Sequence, residues 1–188
     1  MSLHAAAVAA LAGWRAPSVE QEALRRDFLA HLAAHPDALS KQGPTAHLTA
    51  SCVVLDPAGE QVLLTHHAKG DFWVQFGGHL EPGDADLAAG ALREAREESG
   101  LDDVTLLTGD PVDLNRHALP SAFGRCTEHL DTLFVAVAPA GAVPRVSDES
   151  HDVAWWPVDA LPADAVSDLP GRLGRVVELV RSRAAAGG

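Results

Sequence analysis

The sequence has little positive charge. It contains 14 lysine and arginine residues against 26 aspartate and glutamate residues, a formal net charge of −12 over 188 residues. Proteins bind DNA and RNA through basic patches that displace counterions from the phosphates. A nucleic acid polymer is therefore not an expected partner. A phosphate-bearing substrate would need a metal ion to mediate its binding to so acidic a chain.

Cysteines and long apolar runs are also scarce. The two cysteines, Cys52 and Cys126, lie far apart within apolar runs, so we expect two buried thiols in a reducing compartment and no disulfide. No apolar run approaches the roughly 18 residues of a membrane span. The segment LHAAAVAALAGW, residues 3–14, lacks the basic flank of a signal peptide. We therefore expect a cytoplasmic protein that does not associate with a membrane.

The first 44 residues have a helical pattern. In the segment 18–36, Ser18 and Gln21 resemble a capping box and Pro36 marks the exit of a helix. Apolar side chains repeat there at helical spacing: Leu24, Phe28, Leu29 and Leu32. One face of this helix should therefore pack on the main body. We predict an N-terminal helical extension over 1–44, packed on a main domain over 45–188.

From residue 45 onward the pattern changes to strands. Residues 47–56 and 61–67 predict a hairpin whose turn contains Pro57 and Gly59. A short aromatic strand follows at 71–76. A helix is predicted from about Asp86 to Ser99. Four more strands and a last helix are predicted at 103–109, 112–119, 129–139, 152–158 and 169–186. This order indicates the α/β class, a mixed sheet covered by helices on both faces.

Three glutamates crowd one face of the central helix. Glu94, Glu97 and Glu98 have the spacing i, i+3, i+4, which places their Cβ atoms within about 5–6 Å of one another. An adjoining apolar stripe puts them at the edge of the buried surface: Ala88, Ala91, Leu92 and Ala95. Like charges in such a place repel strongly unless a cation lies among the oxygens.

Hard divalent cations such as Mg²⁺ and Mn²⁺ prefer this kind of oxygen cluster. The preceding segment GGHLEPGD, residues 77–84, can turn sharply and approach a ligand closely, because glycine tolerates positive φ and has no side chain. A phosphate chain could be held between this loop and a metal. The alternative is a solvated, charge-mixed surface in which Arg93 and Arg96 neighbour the glutamates.

Taken together, the stretch Gly77–Leu101 resembles the Nudix signature, G-x5-E-x7-R-E-U-x-E-E-x-G-U, where U is bulky and aliphatic. The matching positions are Gly78, Arg93, Glu94, Glu97, Glu98, Gly100 and Leu101. Ala95 is smaller than the pattern prefers. Asp84 stands where the pattern has its first glutamate, and eight residues instead of seven separate it from Arg93.

The resemblance implies the Nudix fold and metal-dependent hydrolysis of a nucleoside diphosphate linked to another moiety. It implies Glu97 and Glu98 as the main ligands of Mg²⁺ or Mn²⁺, with Glu94 as a third ligand or as the group that orients the attacking water. The Gly78 carbonyl is a further predicted ligand. Arg93 is predicted to brace loop and helix by pairing with an acid, Asp84 first, with Glu81 and Asp86 close by.

The loop residues Gly77, Gly78 and His79 are predicted to bind the phosphates of the substrate. The general base is either a signature glutamate or an acid from a later loop. Glu149 in VSDESHD is the candidate from outside the signature, against its being a plain surface acid. The N-terminal helices could cover the sheet, form a homodimer contact or shape the substrate pocket, and the sequence does not decide among these roles.

Histidines and tryptophans supply further candidates. Ten histidines raise the question of zinc, yet the sequence has no HExxH and no paired CxxC spacing, so zinc is not expected as the native metal. His66 and His67 are candidates for a pocket wall, with a plain strand end as the alternative. His129 and Asp131 are candidates for a cleft face, with a solvent-facing strand edge as the alternative. Base stacking is the candidate role of Trp73, Trp155 and Trp156, with core packing as the alternative.

Two rival functions remain beside the hydrolase. One is a Nudix-fold ligand-binding or regulatory module without catalysis, which has no need of three repelling carboxylates. The other is isomerisation of an isoprenoid diphosphate on the same fold. The signature specifies diphosphate chemistry and not the attached group, so the substrate itself is not predicted.

Overall fold

The computed structural model describes residues 1–119, 124–147 and 150–186, and within these ranges it contains four helices and eight strands. Their bounds, in chain order, are α1 (Leu3–Gly13), α2 (Val19–Ala34), β1 (Ala46–Leu55), β2 (Gln61–His67), β3 (Phe72–Val74), β4 (Phe76–His79), α3 (Leu87–Ser99), β5 (Thr105–Leu106), β6 (Asp113–Ala118), β7 (Glu128–Val137), β8 (Ser150–Pro157) and α4 (Leu169–Ala186). The predicted α/β class, with a mixed sheet and two N-terminal helices, is confirmed.

The strands follow the path β3-β2-β1-β7-β5, with β4 paired to β1, β6 to β7 and β8 to β2. The predicted hairpin of β1 and β2 is confirmed, with Val54 opposite Leu63 in an antiparallel register. In its turn Gly59 has φ +67°, and Asp56 Oδ1 accepts hydrogen bonds from the Glu60 and Gln61 amides at 2.7 and 2.8 Å. The turn chemistry expected from the sequence is therefore present.

The chain divides into two compact units. Unit 1 comprises Met1–Ser51, Gly77–Ala91 and Thr108–Phe134. Unit 2 comprises Cys52–Phe76, Leu92–Leu107 and the chain from Val135 onward. Both units therefore draw on separate stretches of sequence. The division predicted from the sequence, 1–44 and 45–188, stays a prediction.

Helix α2 in unit 1 is fixed at its first turn by two different groups. Ser18 caps the helix by accepting from the Gln21 amide at 3.2 Å. The other hydrogen bond of the predicted capping box, from the Ser18 amide to the Gln21 side chain, is wrong, because that side chain bonds to Leu114 instead. Its Nε2 donates to the Leu114 carbonyl at 2.9 Å, and its Oε1 accepts from the Leu114 amide at 2.7 Å. Phe28 and Leu32 are fully buried on the same helix.

The predicted strand at 71–76 is divided into β3 and β4, and β4 continues through Gly77 to His79. Gly77 has φ +154°, and a Cβ atom there would lie 2.6 Å from Ser51 Cβ. Only glycine fits this position. The close approach of the β4 backbone to Ser51 therefore gives Gly77 a structural reason besides the predicted one of ligand approach.

Helix α3 is capped at both ends. Asp86 Oδ1 accepts from the Ala89 amide at 2.8 Å at its start. At its end Gly100 has φ +66° and donates to the Arg96 carbonyl at 2.8 Å. The last helix, α4, also matches its predicted bounds, Leu169–Ala186. Among the described residues no helix combines the length and the apolarity needed to cross a membrane.

Candidate active site

The carboxylates of α3 lie in unequal surroundings. The side chains of Glu94 and Glu97 are 15% and 60% exposed, whereas Glu98 as a residue is only 9% exposed. The apolar stripe beside them is buried at Ala91 and Ala95. A solvated, charge-mixed surface therefore describes Glu97 but not Glu94 or Glu98.

Arg93 bridges two of these glutamates. Its Nη1 donates to Glu94 Oε1 and to Glu97 Oε2, each at 3.0 Å. The guanidinium thus offsets part of the repulsion between the two carboxylates and holds them to one side of the helix. Only oxygen donors are offered by the three glutamates, so this face is suited to a hard divalent cation.

The end of α3 is anchored by two arginines of unit 2. Arg96 Nη2 donates to the Val104 carbonyl at 2.9 Å. Arg145 Nη2 donates to the Gly100 carbonyl at 2.9 Å, and its amide donates to the Ser99 carbonyl at 2.8 Å. These bonds satisfy carbonyls at and just beyond the helix terminus. They hold the last turn, which carries Glu97 and Glu98, in one conformation.

The loop before α3 closes on Asp84. Its Oδ2 accepts from the Glu81 amide at 2.8 Å, and its own amide donates to the Glu81 carbonyl at 3.0 Å. Asp84 therefore shapes a tight turn at the position where the Nudix pattern has a glutamate. The pairing of Arg93 with Asp84, Glu81 or Asp86 stays a prediction.

A polar stripe crosses the strands of unit 1. On β7, Asp131 is buried and accepts from Thr49 Oγ1 at 3.1 Å and from Ser51 Oγ at 2.6 Å. Thr49 and Ser51 lie two residues apart on β1, and His47 precedes them at the same spacing. Sequence reasoning selected His129 and Asp131 but missed the β1 residues. Polar residues at 47, 49 and 51 in an apolar strand were the available signal.

Around His129 lies a group of nitrogen and sulfur donors, the histidine–cysteine cluster, defined as His47, His79, Cys126 and His129. One potential ligand atom from each member lies within 4.8 Å of those of the others. Burial above all, with smaller contributions from the neighbouring His117, His79 and His47, lowers the pKa of His129 to about 3. His129 is therefore neutral near pH 7. Sequence reasoning missed the cluster as a group.

The two cysteines are buried and neither is in a disulfide. Burial raises the pKa of the Cys52 thiol to about 12. Cys52 is therefore a protonated and unreactive core thiol at neutral pH. Cys126 differs from it in position, because its Sγ lies 3.9 Å from His79 Nε2.

The remaining predicted candidates of unit 2 make local contacts. His66 Nε2 lies 3.5 Å from Asp164 Oδ2, and His67 Nδ1 accepts from the Lys69 amide at 3.1 Å. Trp155 Nε1 donates to the Ala142 carbonyl at 3.2 Å, and the ring of Trp156 packs edge-on against Trp73 with centroids 5.4 Å apart. The candidate base Glu149 lies outside the described residues.

The family model for the NUDIX domain matches residues 45–175. The chain belongs to the Nudix family. Membership places it among hydrolases of phosphorus anhydrides, whose members generally use a divalent metal. Among proteins of curated function, none matches the sequence.

Solved structures of Nudix proteins share the fold. A NUDIX-family hydrolase from Clostridium perfringens is 21% identical in sequence, with a TM-score of 0.58, and the match covers 71% of this chain and 97% of that hydrolase. An Ap4A hydrolase from C. elegans is 18% identical with a TM-score of 0.58, covering 72% and 98%. The dihydroneopterin triphosphate pyrophosphohydrolase of E. coli is 20% identical with a TM-score of 0.59, covering 70% and 95%. At these identities the likeness establishes the fold alone.

Proposed function

We propose that this Nudix protein is a hydrolase dependent on Mg²⁺ or Mn²⁺ that cleaves the pyrophosphate bond of a nucleoside diphosphate linked to another moiety. The observation that carries the proposal is the intact set of Glu94, Glu97 and Glu98 on α3, two of them shielded from solvent. Holding such carboxylates together costs free energy. A module that only bound a ligand would gain nothing from that cost.

The donor set fits the ion. Mg²⁺ is typically held by one or two carboxylates together with water and substrate phosphates. Glu97 and Glu98 are proposed as its principal ligands, and Glu94 as a third ligand or as the acceptor that orients the attacking water. A bound ion supplies charge neutralisation at the diphosphate and a lowered pKa for a coordinated water.

Arg93 is proposed to act by positioning. Its two hydrogen bonds of 3.0 Å restrict the rotamers of Glu94 and Glu97, so less conformational freedom is lost when these carboxylates take up a ligand. The predicted contacts of Gly77, Gly78 and His79 with the substrate, and of the Gly78 carbonyl with the ion, are kept as proposals. Their support is the signature.

Small nucleotide-type diphosphates are the proposed substrate class. Two structural neighbours are an Ap4A hydrolase and a dihydroneopterin triphosphate pyrophosphohydrolase, and a third is an ADP-ribose pyrophosphatase from Streptococcus suis. What these names share is a chain of phosphates on an organic group, while the groups differ. We propose a cytoplasmic location, supported by two cysteines that form no disulfide.

The test is release of phosphate or pyrophosphate by the purified protein, with Mg²⁺ or Mn²⁺, across a panel of nucleoside diphosphate derivatives. Glu98→Gln is the inactivating variant. Glu178→Gln is its matched control, because Glu178 is an exposed glutamate on α4. Release that needs the metal and Glu98 but not Glu178 supports the proposal.

Two other outcomes would favour the rival functions. Ligand binding without turnover across the panel, with metal binding confirmed, would support the non-catalytic module. Metal-dependent conversion of isopentenyl diphosphate into its isomer would support the isomerase. Turnover that is unaffected by Glu98→Gln would contradict the proposal that the α3 glutamates bind the catalytic metal ion.

A further inference from the structure

Three imidazole rings in unit 1 lie at the corners of a nearly equilateral triangle. The ring centroids of His47 and His79 are 5.0 Å apart, those of His47 and His129 5.2 Å, and those of His79 and His129 5.4 Å. The thiol of Cys126 joins them, with its Sγ 3.9 Å from His79 Nε2. Four potential metal donors of the nitrogen and sulfur type thus lie together, with their ligand atoms within 4.8 Å of one another.

These donors come from three parts of the chain that are distant in sequence. His47 is on β1, His79 ends β4, His129 is on β7, and Cys126 lies two residues before β7 begins. His47 and Cys126 are buried. Chance proximity on a solvated surface does not explain such a group, because the strands bring all four side chains to a common, largely enclosed position.

The hydrogen bonds of His47 set its tautomer. Its Nδ1 lies 3.0 Å from the Pro44 carbonyl, and since a carbonyl oxygen only accepts, Nδ1 carries the proton and donates. Nε2 therefore has a lone pair directed away from that bond. Metal-binding histidines are commonly oriented in this way, through a hydrogen bond from the other ring nitrogen to a backbone carbonyl.

Two nitrogens of the cluster are buried without a hydrogen-bond partner among the described residues: His47 Nε2 and His129 Nε2. A buried polar atom that is left unsatisfied is costly, and such atoms commonly mark a place for an ion or a water. Aromatic packing alone would account for the ring distances. It does not account for two enclosed nitrogen atoms in the same small cluster.

We propose that His47, His79, Cys126 and His129 form a four-coordinate site for zinc or a similar borderline-soft divalent ion. Three imidazoles and a thiolate are a donor set of the type that zinc takes. Mg²⁺ prefers oxygen ligands, so this site is chemically distinct from the one proposed on α3. With His79 bound to the ion, the phosphate contact proposed above for Gly77, Gly78 and His79 would fall to Gly77 and Gly78.

The site requires a small contraction. Its ligand atoms now lie within 4.8 Å of one another, whereas tetrahedral bonds of about 2.0–2.3 Å give edges of roughly 3.3–3.7 Å. The contraction requires the partly buried rings of His79 and His129 to turn toward the centre. Four protein ligands leave no open position, so the ion would link β1, β4 and β7 structurally.

The test uses Co²⁺ as a spectroscopic substitute for zinc, added to the chelator-treated full chain. Tetrahedral Co²⁺ bound to a thiolate has intense visible bands and a sulfur-to-metal charge-transfer band. One equivalent of Co²⁺ should produce both, and zinc should abolish them by displacement. Carboxylate binding at α3 gives no charge-transfer band. Glu98→Gln is therefore expected to show the same spectrum as the wild type.

The two cysteines provide the matched pair of variants. Cys126→Ser should lose the charge-transfer band, whereas Cys52→Ala should keep it, because Cys52 is not a member of the cluster. His47→Gln should weaken zinc binding by more than the roughly 10- to 100-fold that loss of an outer-shell partner causes. X-ray absorption of the zinc-loaded wild type should show three nitrogen ligands and one sulfur ligand.

Several results would overturn the proposal. Absence of a charge-transfer band at saturating Co²⁺, in wild-type protein shown to be folded by circular dichroism, would do so. Persistence of the band in Cys126→Ser would assign it to another thiol. If Cys126→Ser does not fold, the X-ray absorption measurement decides, and a shell of oxygen atoms around the zinc would end the proposal.

Discussion

The α3 carboxylates and the histidine–cysteine cluster are two groups of potential metal ligands with opposite chemistry. The first offers only carboxylate oxygen atoms, and Arg93 bridges two of its three carboxylates at 3.0 Å. The second offers three imidazole nitrogens and one sulfur, gathered within 4.8 Å. Hard ions such as Mg²⁺ select the first group and borderline-soft ions the second. Under the two proposals, one chain would therefore hold two different ions, each at the donor set that suits it.

Substitution of Glu98 should distinguish the α3 carboxylates from the histidine–cysteine cluster most strongly, because it should affect turnover and not zinc binding. Glu98→Gln removes one charge from a buried carboxylate on α3 and should lower turnover by about two orders of magnitude or more, since loss of one strong electrostatic contact costs roughly 10²–10³ in rate. Zinc retention by the cluster should not change. Turnover and zinc content are measured on the same preparation. Unchanged turnover would contradict the assignment of the carboxylates.

Removal of zinc should have its effect on stability. If zinc is present at about 100 times its Kd, binding adds roughly 2.7 kcal/mol, and for a chain of this size that corresponds to a rise in Tm of about 5–10 °C. A chelator should reverse the rise in the wild type and have no effect in Cys126→Ser. Scanning calorimetry checks this. A wild-type Tm that zinc does not change would contradict a stabilising role for an ion at the cluster.

The difference between the groups also explains what sequence reasoning could reach. The spacing of Glu94, Glu97 and Glu98 is local, because one helix sets the positions of all three, and the strands and helices were likewise predicted from local patterns. The cluster joins positions 47, 79, 126 and 129, of which only Cys126 and His129 are close in sequence. Only the pairing of β1, β4 and β7 brings them together. The hydrogen bonds of the Gln21 side chain to Leu114 in β6 could not be predicted for the same reason.

Asp131 offers a way to test the polar stripe without touching either ligand group. Its carboxylate accepts hydrogen bonds from Thr49 and Ser51. Asp131→Asn replaces one acceptor with a donor that faces a hydroxyl, so we expect a loss of roughly 1–3 kcal/mol in the free energy of unfolding. Urea denaturation measures it, with the exposed Asp110→Asn as control. Equal stability of both variants would show that the buried bonds contribute little.

Arg93 should have a smaller effect on stability than on turnover. Its side chain is 21% exposed and its partner Glu97 is mostly exposed, and ion pairs of this kind contribute at most about 1 kcal/mol. Arg93→Ala should therefore lower the free energy of unfolding only slightly. The loss in turnover, expressed as a free energy of activation, should be larger, because two carboxylates lose their orientation. A matched loss in both would favour a purely structural role. Urea denaturation and the release assay give the two values.

The smallest expected effect concerns a second arginine–glutamate group, on the surface of α2. Hydrogen bonds from Arg25 and Arg26 lower the pKa of Glu22 from 4.5 to about 2. Because the folded-state pKa lies below the unfolded one, the contribution of Glu22 is present above pH 4.5 and is lost as the pH falls toward 2. Glu22→Gln should therefore make acid unfolding slightly less steep in that window.

This last prediction separates two kinds of carboxylate. Glu22 is 30% exposed in its side chain and is paired with two arginines, so its removal should change the stability at low pH and leave turnover as it is. Glu98 is buried, so Glu98→Gln should change turnover instead. Stability is followed by circular dichroism from pH 6 to pH 2, with the exposed Glu178→Gln as control. A slope identical in Glu22→Gln and wild type would mean that the arginines do not hold the charged form in solution. The distinction between a pairing role on α2 and a ligand role on α3 would then rest on turnover alone.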